Sequence, residues 1–330
     1  MNRRGWGLGL VLIALTALAG VLALAVGSTG WSGPQAWGAD PLAWQIAWEV
    51  RAPRSMGAWL AGALLALSGA LAQGVFRNPL ADPYLLGSSS GAALGVAACL
   101  AWLGVGPASA DVWVRLGVSG AAFLGSVMAV ALTLVLARGV QHTLRLLLAG
   151  VVVGVVLGAL SALTMLMVPD ITRAMQAFML GTTGFIGWPA VGTMAPVLVV
   201  CLLLALGGSR ALDAMSLGDA AASSLGVSVT WARWVLVLVL SAATGTAVAQ
   251  AGLISFVGLV APHLVRSVVS VTHGALMVLS CLAGGLLLLL ADVLARWLIA
   301  PQELPVGVLT AVLGGSYLLW RMNRSSGGLA

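Results

Sequence analysis

The sequence contains no lysine. It therefore cannot supply the phosphate-cradling ammonium of a G-x-x-x-x-G-K-[ST] loop, and if ATP drives this protein, another chain holds the nucleotide. Charge of either sign is scarce, at 7% of 330 residues. Of the nine acidic residues none falls at the middle of an apolar run; Asp292 comes closest, one turn before Arg296, where an i,i+4 pair neutralises it. The three histidines, His142, His263 and His273, map to connections. Proton- or sodium-coupled carriers keep such groups near the bilayer midplane, so ion-coupled transport stands as an alternative that these residues do not favour. An intramembrane hydrolase is excluded, because no Ser/His, paired-Asp or H-E-x-x-H set shares a depth. The three cysteines, Cys99, Cys201 and Cys281, lie far apart with no metal spacing; they read as packing residues and imply no disulfide.

What the chain has in quantity is apolar length. Hydrophobic residues make up 61%, and the mean hydropathy is +1.09. Several runs approach the ~20 residues that cross a bilayer as a helix. Backbone groups in hydrocarbon must pair within their own segment, and the alternation of a barrel is absent, so the fold class is all-α and polytopic. Ten spans are expected, near residues 6–27, 55–76, 87–104, 117–138, 146–168, 188–208, 231–251, 253–265, 275–298 and 306–322. The N-terminal run is longer than a signal peptide's apolar core and is kept as the first span. With the N-terminus inside, ten of the fifteen arginines fall on inside connections: Arg3, Arg4, Arg77, Arg138, Arg145, Arg210, Arg233, Arg266, Arg321 and Arg324. Both termini are then cytoplasmic. The basic groups are scattered over loops, so the excess of positive charge calls for no nucleic acid.

Four segments are more than simple spans or connections. The stretch "FRNPLADPYLLGSSSGAALG" (76–95) is polar and turn-rich between two spans; Asn78 and Asp82 form turns of the Asx kind before prolines. The stretch 28–50 carries Trp31, Trp37, Trp44 and Trp48, an aromatic belt for the outer interface. Segment 169–187 is too short to cross and reads as a short helix in the outer mouth. Segment 209–230, "SRALDAMSLGDAAASSLGVSVT", spaces Leu217, Ala221 and Leu225 four apart; Gly218 breaks it and Gly226 ends it, giving two short helices long enough to be a docking element. Within the fifth span, Gly150, Gly154 and Gly158 recur on one helical face, either as a seam for close packing or as a smooth wall of a permeation path.

The blocks "RAPRSMGAWLAGALLALSGALAQGVFRNPLADPYLLGSSSGAALG", "GLISFVGLVAPHLVR" and "LLLLLADVLARWLIAPQELPVGVLTAVLGG", in this order, resemble the permease family of type II ABC importers for iron chelates, haem and cobalamin, the FecCD family. The similarity runs from about Glu49 to Arg321. It implies a single transmembrane permease domain over 1–330, a homodimer or heterodimer enclosing a central pathway, and no bond chemistry in this chain. ATP and magnesium would belong to two cytoplasmic ATPase subunits, and cargo would arrive on a periplasmic or lipid-anchored binding protein at the bacterial inner membrane. The implied cargo is a large metal chelate, an iron–siderophore or haem, with cobalamin the alternative. An exporter or lipid-handling permease is a further, different-class alternative.

By the same resemblance Asn78 and Leu80 are inner-gate residues with Thr143 their neighbour. Leu212, Met215, Leu217, Gly218, Asp219, Ala221, Leu225 and Gly226 lie in the element that couples to the ATPase, although members often carry a charge where Ala222 or Ser223 stands. Arg51, Arg54 and Arg296 are the arginines that meet acidic residues of the binding protein. The reading from residues alone leaves Arg296 occupied by Asp292, and Arg51 and Arg54 reaching to headgroups.

Overall fold

A computed structural model of the chain describes residues 3–27, 30–31, 33, 37, 40–103, 112–137 and 143–326. Helix α1 (Arg3–Ala25) runs into a two-residue-strand hairpin, β1 (Val26–Gly27) against β2 (Gly30–Trp31). A short helix, α2 (Pro41–Ile46), capped by Asp40 Oδ1 on the Leu42 N–H, passes through one wide turn at 47–51 into α3 (Ala52–Val75). Then follow α4 (Ser88–Leu103), α5 (Val112–Leu136), α6 (Thr143–Met167), the short α7 (Thr172–Leu180), α8 (Trp188–Gly207), the paired short helices α9 (Ser209–Met215) and α10 (Asp219–Ser224), α11 (Val229–Ala251), α12 (Val257–Val268), α13 (His273–Trp297) and α14 (Val306–Ser326).

Seven of these stretches are long and apolar enough to cross a membrane: 3–25, 41–75, 116–136, 144–167, 188–207, 229–251 and 273–297. Three shorter apolar helices, Ser88–Leu103, Val257–Val268 and Val306–Trp320, occupy the other expected positions. At 1.5 Å per residue α12 is about 18 Å long, well short of a ~30 Å hydrocarbon core. Its start is displaced from the expected 253 because the chain leaves α11 at Gly252 with φ +71° and re-enters a helix only beyond Phe256, itself at φ +69°.

Helix α3 is the centre of the bundle, buried along almost its whole length. Its neighbours approach closely because small residues line the contact. A Cβ added to Gly62 would lie 2.3 Å from the Gly284 carbonyl of α13, and one on Gly284 would lie 2.3 Å from the Ala66 Cβ and 2.6 Å from the Gly62 carbonyl. Helix α6 is the opposite case: Val151, Val152, Val155, Val156 and Leu163 are exposed along it. Each such side chain left in water forgoes about 1.5–3 kcal/mol of burial, so this face belongs against lipid or another chain.

The short helix expected within 169–187 is α7, preceded by a 3₁₀ turn at Pro169–Ile171. Of the tryptophans between 28 and 50, Trp44 stacks on Trp48, and Trp48 meets Trp188 at the start of α8. All three cysteines are free within helices.

Candidate functional site

Helix α3 ends where Phe76 gives way to Arg77, at φ +50° in the left-handed region, and the chain turns sharply. The Asn78 N–H donates to the Gln73 carbonyl at 3.1 Å, and its Oδ1 accepts from the Leu80 N–H at 2.9 Å, the expected Asx turn. Asp82 does the same for a 3₁₀ turn at Pro83–Leu86, accepting from the Tyr84 N–H at 2.8 Å. Burial pushes the Asp82 carboxyl above the usual carboxylate range, opposed by that same N–H. The Tyr84 hydroxyl donates to the Ile254 carbonyl at 3.0 Å. With its backbone held this way, the turn projects Leu80 as an exposed apolar side chain. Thr143 opens α6; its side chain, with His142 and Arg138, lies outside the described residues.

The same end carries the two short helices. Gly218, at φ +106°, breaks the segment, and Gly226, at φ +80°, terminates α10, its N–H returning to the Ser223 carbonyl while the Val227 N–H reaches Ala222. Leu217 and Ala221 consequently fall on opposite sides of the break instead of sharing one continuous helix face. Leu212, Met215 and Ala222 are fully buried and seat the element on the bundle, whereas Leu217 and Leu225 are exposed. Both acids of the element are engaged. Asp213 Oδ1 lies 2.6 Å from His273 Nδ1 and accepts from the His273 N–H at 3.0 Å, satisfying a donor at the start of α13. Asp219 receives Nη2 of Arg233 on both oxygens at 2.9 Å and Nη2 of Arg77 at 2.7 Å.

At the opposite end the three expected arginines converge, and two of them point inward. Arg51 donates Nη1 to the carbonyls of Leu24 (2.9 Å) and Ala25 (3.0 Å). Arg296 donates Nη1 to those of Ala23 (3.0 Å) and Val26 (3.1 Å). Together they satisfy the carbonyls that the last turn of α1 leaves open, where a cation also suits the helix dipole. Arg296 Nη2 further pairs with Asp292 Oδ2 at 2.7 Å, the i,i+4 pair read from the spacing. Asp292 is fully buried; its other oxygen accepts from Arg54 Nε at 2.9 Å and from the Thr183 hydroxyl at 2.5 Å. Only Arg54 reaches the rim, where Glu303 takes its Nη1. Thr183 and Glu303 were not foreseen, because a threonine in a loop and an acid beyond a helix end carry no local signal of this pairing.

The three glycines of α6 differ in what packs opposite them. A Cβ on Gly150 would lie 2.1 Å from the Leu85 carbonyl, so this residue is a packing contact, but Gly154 and Gly158 would meet nothing nearer than 3.7 and 3.8 Å. Gly150, Gly154, Gly87, Ser90, Asp82 and Tyr84 line one groove. A separate cavity of 180 Å³ under α7 is lined by residues including Phe178, Thr182, Phe185 and Gln250.

These features define a class: a helical membrane permease, with an exposed short-helix element and a braced turn at one end and an arginine cluster at the other. Residues 15–324 match the FecCD transport family, and the chain belongs to that family. It is thus a transport subunit of an ABC importer, not itself an enzyme. The chain is 40% identical over 284 residues to the hemin transport system permease protein HmuU of Yersinia pestis, covering 85% of this chain and 84% of that one. It is 36% identical over 322 residues to the vitamin B12 import system permease protein BtuC of Salmonella newport, covering 97% and 95% respectively. Among solved structures, an inward-facing metal-chelate type ABC transporter superimposes with a TM-score of 0.84 at 29% identity, over 94% of this chain and 96% of that one.

Proposed function

We propose that the chain, as a single transmembrane domain, forms one half of a homodimeric permease in a bacterial inner membrane. It crosses ten times with both termini cytoplasmic, and it moves a large metal chelate, haem or an iron–siderophore, inward. Cobalamin is the second reading, supported by the near full-length likeness to the vitamin B12 permease. Two cytoplasmic ATPases supply ATP and magnesium, and a binding protein delivers cargo.

The observation that carries this reading is the pairing, at one end, of an exposed Leu80 on a braced turn with exposed Leu217 and Leu225 on a seated pair of short helices. An apolar side chain held out from a rigid turn suits a constriction, so Leu80 and Asn78, together with Thr143 by the family resemblance, form the inner gate. Two exposed leucines on an element anchored by Leu212, Met215, Asp213 and Asp219 suit insertion into a cleft of the ATPase. Gly218, Ala221 and Gly226 shape that element. At the far end Arg54 meets the binding protein, while Arg51 and Arg296 hold the helix ends that present it. Gly154 and Gly158 leave room along the pathway, and Gly150 packs.

The test is uptake into vesicles containing the permease, its ATPases and its binding protein, with haem, a ferric siderophore and cobalamin offered in turn. One cargo accumulates only with ATP; the purified permease alone hydrolyses none. Leu217→Asp abolishes uptake and ATPase binding with normal membrane insertion, and Leu80→Ala leaks cargo without ATP. Uptake that persists without any ATPase would sink the reading.

A further inference from the structure

Asp219 is one carboxylate shared by arginines of two different parts of the bundle. Arg233 of α11, itself 2% exposed, grips both of its oxygens. Arg77, the residue immediately before Asn78, takes one of them again at 2.7 Å. The far side of the 76–82 turn is tied to other elements: Asn78 to Gln73, Gln73 to the Leu259 carbonyl at 3.2 Å and to Arg266, and Tyr84 to Ile254. Of these ties, the Arg77–Asp219 pair is the one that reaches the short helices. The two partners differ from the rest of the network in being open to water, Arg77 at 37% and Asp219 at 43% of the side chain. A pair in such a place holds weakly and can be exchanged, so it steers a turn instead of locking it.

We propose that Asp219 is a positioning residue for the gate: movement of the short helices is shared with α11 through Arg233 and passed to the Asn78–Leu80 turn through Arg77. The inference rests on reading 209–226 as the ATPase-docking element and the turn as the gate, and it assigns the link between them. Arg77 at φ +50° fits this part. Its backbone sits in a sparsely populated conformation at the hinge of the turn, so a small change in the pull on its side chain changes the direction in which the next three residues leave α3.

The experiment uses the permease assembled with its ATPases in lipid nanodiscs. A cysteine is placed at the gate by Leu80→Cys in a Cys99→Ser background, the buried Cys201 and Cys281 being left in place. Its alkylation by a water-soluble maleimide is timed with and without ATP plus vanadate. With Arg77 present, nucleotide changes the rate several-fold. Arg77→Gln removes most of that change while the ATPases still co-purify, and Arg77→Lys restores most of it, since a point charge suffices for the pair. A response in Arg77→Gln equal to that with Arg77 present overturns the proposal, as does failure of Lys to restore it. Loss of ATPase co-purification overturns it in favour of a docking role for Arg77. If the protein with Arg77 intact shows no response at residue 80, the gate reading itself falls and takes this link with it.

Discussion

Arg54 and Glu303 meet in a fork, Nη1 lying 3.0 and 2.8 Å from the two carboxylate oxygens, while Nε of the same guanidinium donates to the buried Asp292 at 2.9 Å. One arginine is thereby divided between a buried interior partner, Asp292, and a rim partner, Glu303. In the docking role proposed for Arg54, Glu303 holds the place that an acid of the binding protein would take.

Glu303→Gln weakens the internal competitor and leaves Arg54 in place. A solvent-screened rim pair of this kind is worth about 0.2–1 kcal/mol, so affinity for the binding protein rises about 1.4- to fivefold at low ionic strength. Arg54→Glu lowers it and flattens its salt dependence. Titration of the binding protein at two salt concentrations decides the matter; a Glu303→Gln variant that binds more weakly removes Glu303 from this role. Arg51→Glu and Arg296→Glu act differently, costing stability first because they uncap α1.

Asp292→Ala leaves Arg296 and Arg54 without their common partner inside the bundle. Breaking a buried pair from one side costs about 3–5 kcal/mol. Thr183→Val removes a single hydrogen bond to the same oxygen and costs about 1 kcal/mol. Thermal unfolding in detergent separates the two, and equal losses would show that Asp292 is not the centre of the network.

Gly150→Ala and Gly154→Ala separate packing from pathway. The first pushes a methyl group to 2.1 Å from the Leu85 carbonyl and loses about 1–3 kcal/mol or forces the helices apart. The second has 3.7 Å to its nearest neighbour and melts like the unsubstituted protein. Gly154→Leu, which fills the groove, blocks uptake without lowering the melting temperature; normal uptake by that variant rules out the groove as a route.

Asp82 carries a pH signature. Burial raises its folded pKa above the ordinary 3.8, the Tyr84 N–H only partly offsetting this. The folded state therefore holds the proton more tightly than the unfolded one, and the favourable contribution is present below the unfolded pKa and lost as pH rises through the folded one. At neutral pH the carboxylate is a liability. Asp82→Asn keeps the turn and matches or exceeds the unsubstituted protein, with a flatter stability profile in acid, whereas Asp82→Ala loses the Tyr84 contact and about 1 kcal/mol. An Asn variant less stable than the Ala variant contradicts this account.

Local pattern carried much of the fold. Apolar run lengths located seven helices long enough to cross a membrane and three shorter apolar ones, the glycines at 218 and 226 delimited the short pair, and the four-residue step from Asp292 to Arg296 announced their ion pair. Contacts between distant segments left no such trace. Arg54 and Asp292 are 238 residues apart and Arg77 and Asp219 are 142 apart, so neither pairing has a periodicity to betray it. The inward turn of Arg51 was hidden for the same reason: its partners are backbone carbonyls at the end of α1, and every residue has a carbonyl. Gly150 and Gly154 look alike in sequence and differ only in what packs opposite.

The contact of Gly62 with Gly284 puts backbone on backbone, and neither residue has a side chain that could change rotamer there and let one helix slide past the other. Mechanically the pair is a keel. A transporter must open first to one side and then to the other, and a keel cannot take part by bending; it can only tilt as a block. The compliance has to reside elsewhere, at the breaks around Gly181, Gly218 and Gly252 and in the thinly covered helices such as α6. The stroke of the machine is then set by how far those joints rotate about a rigid spine.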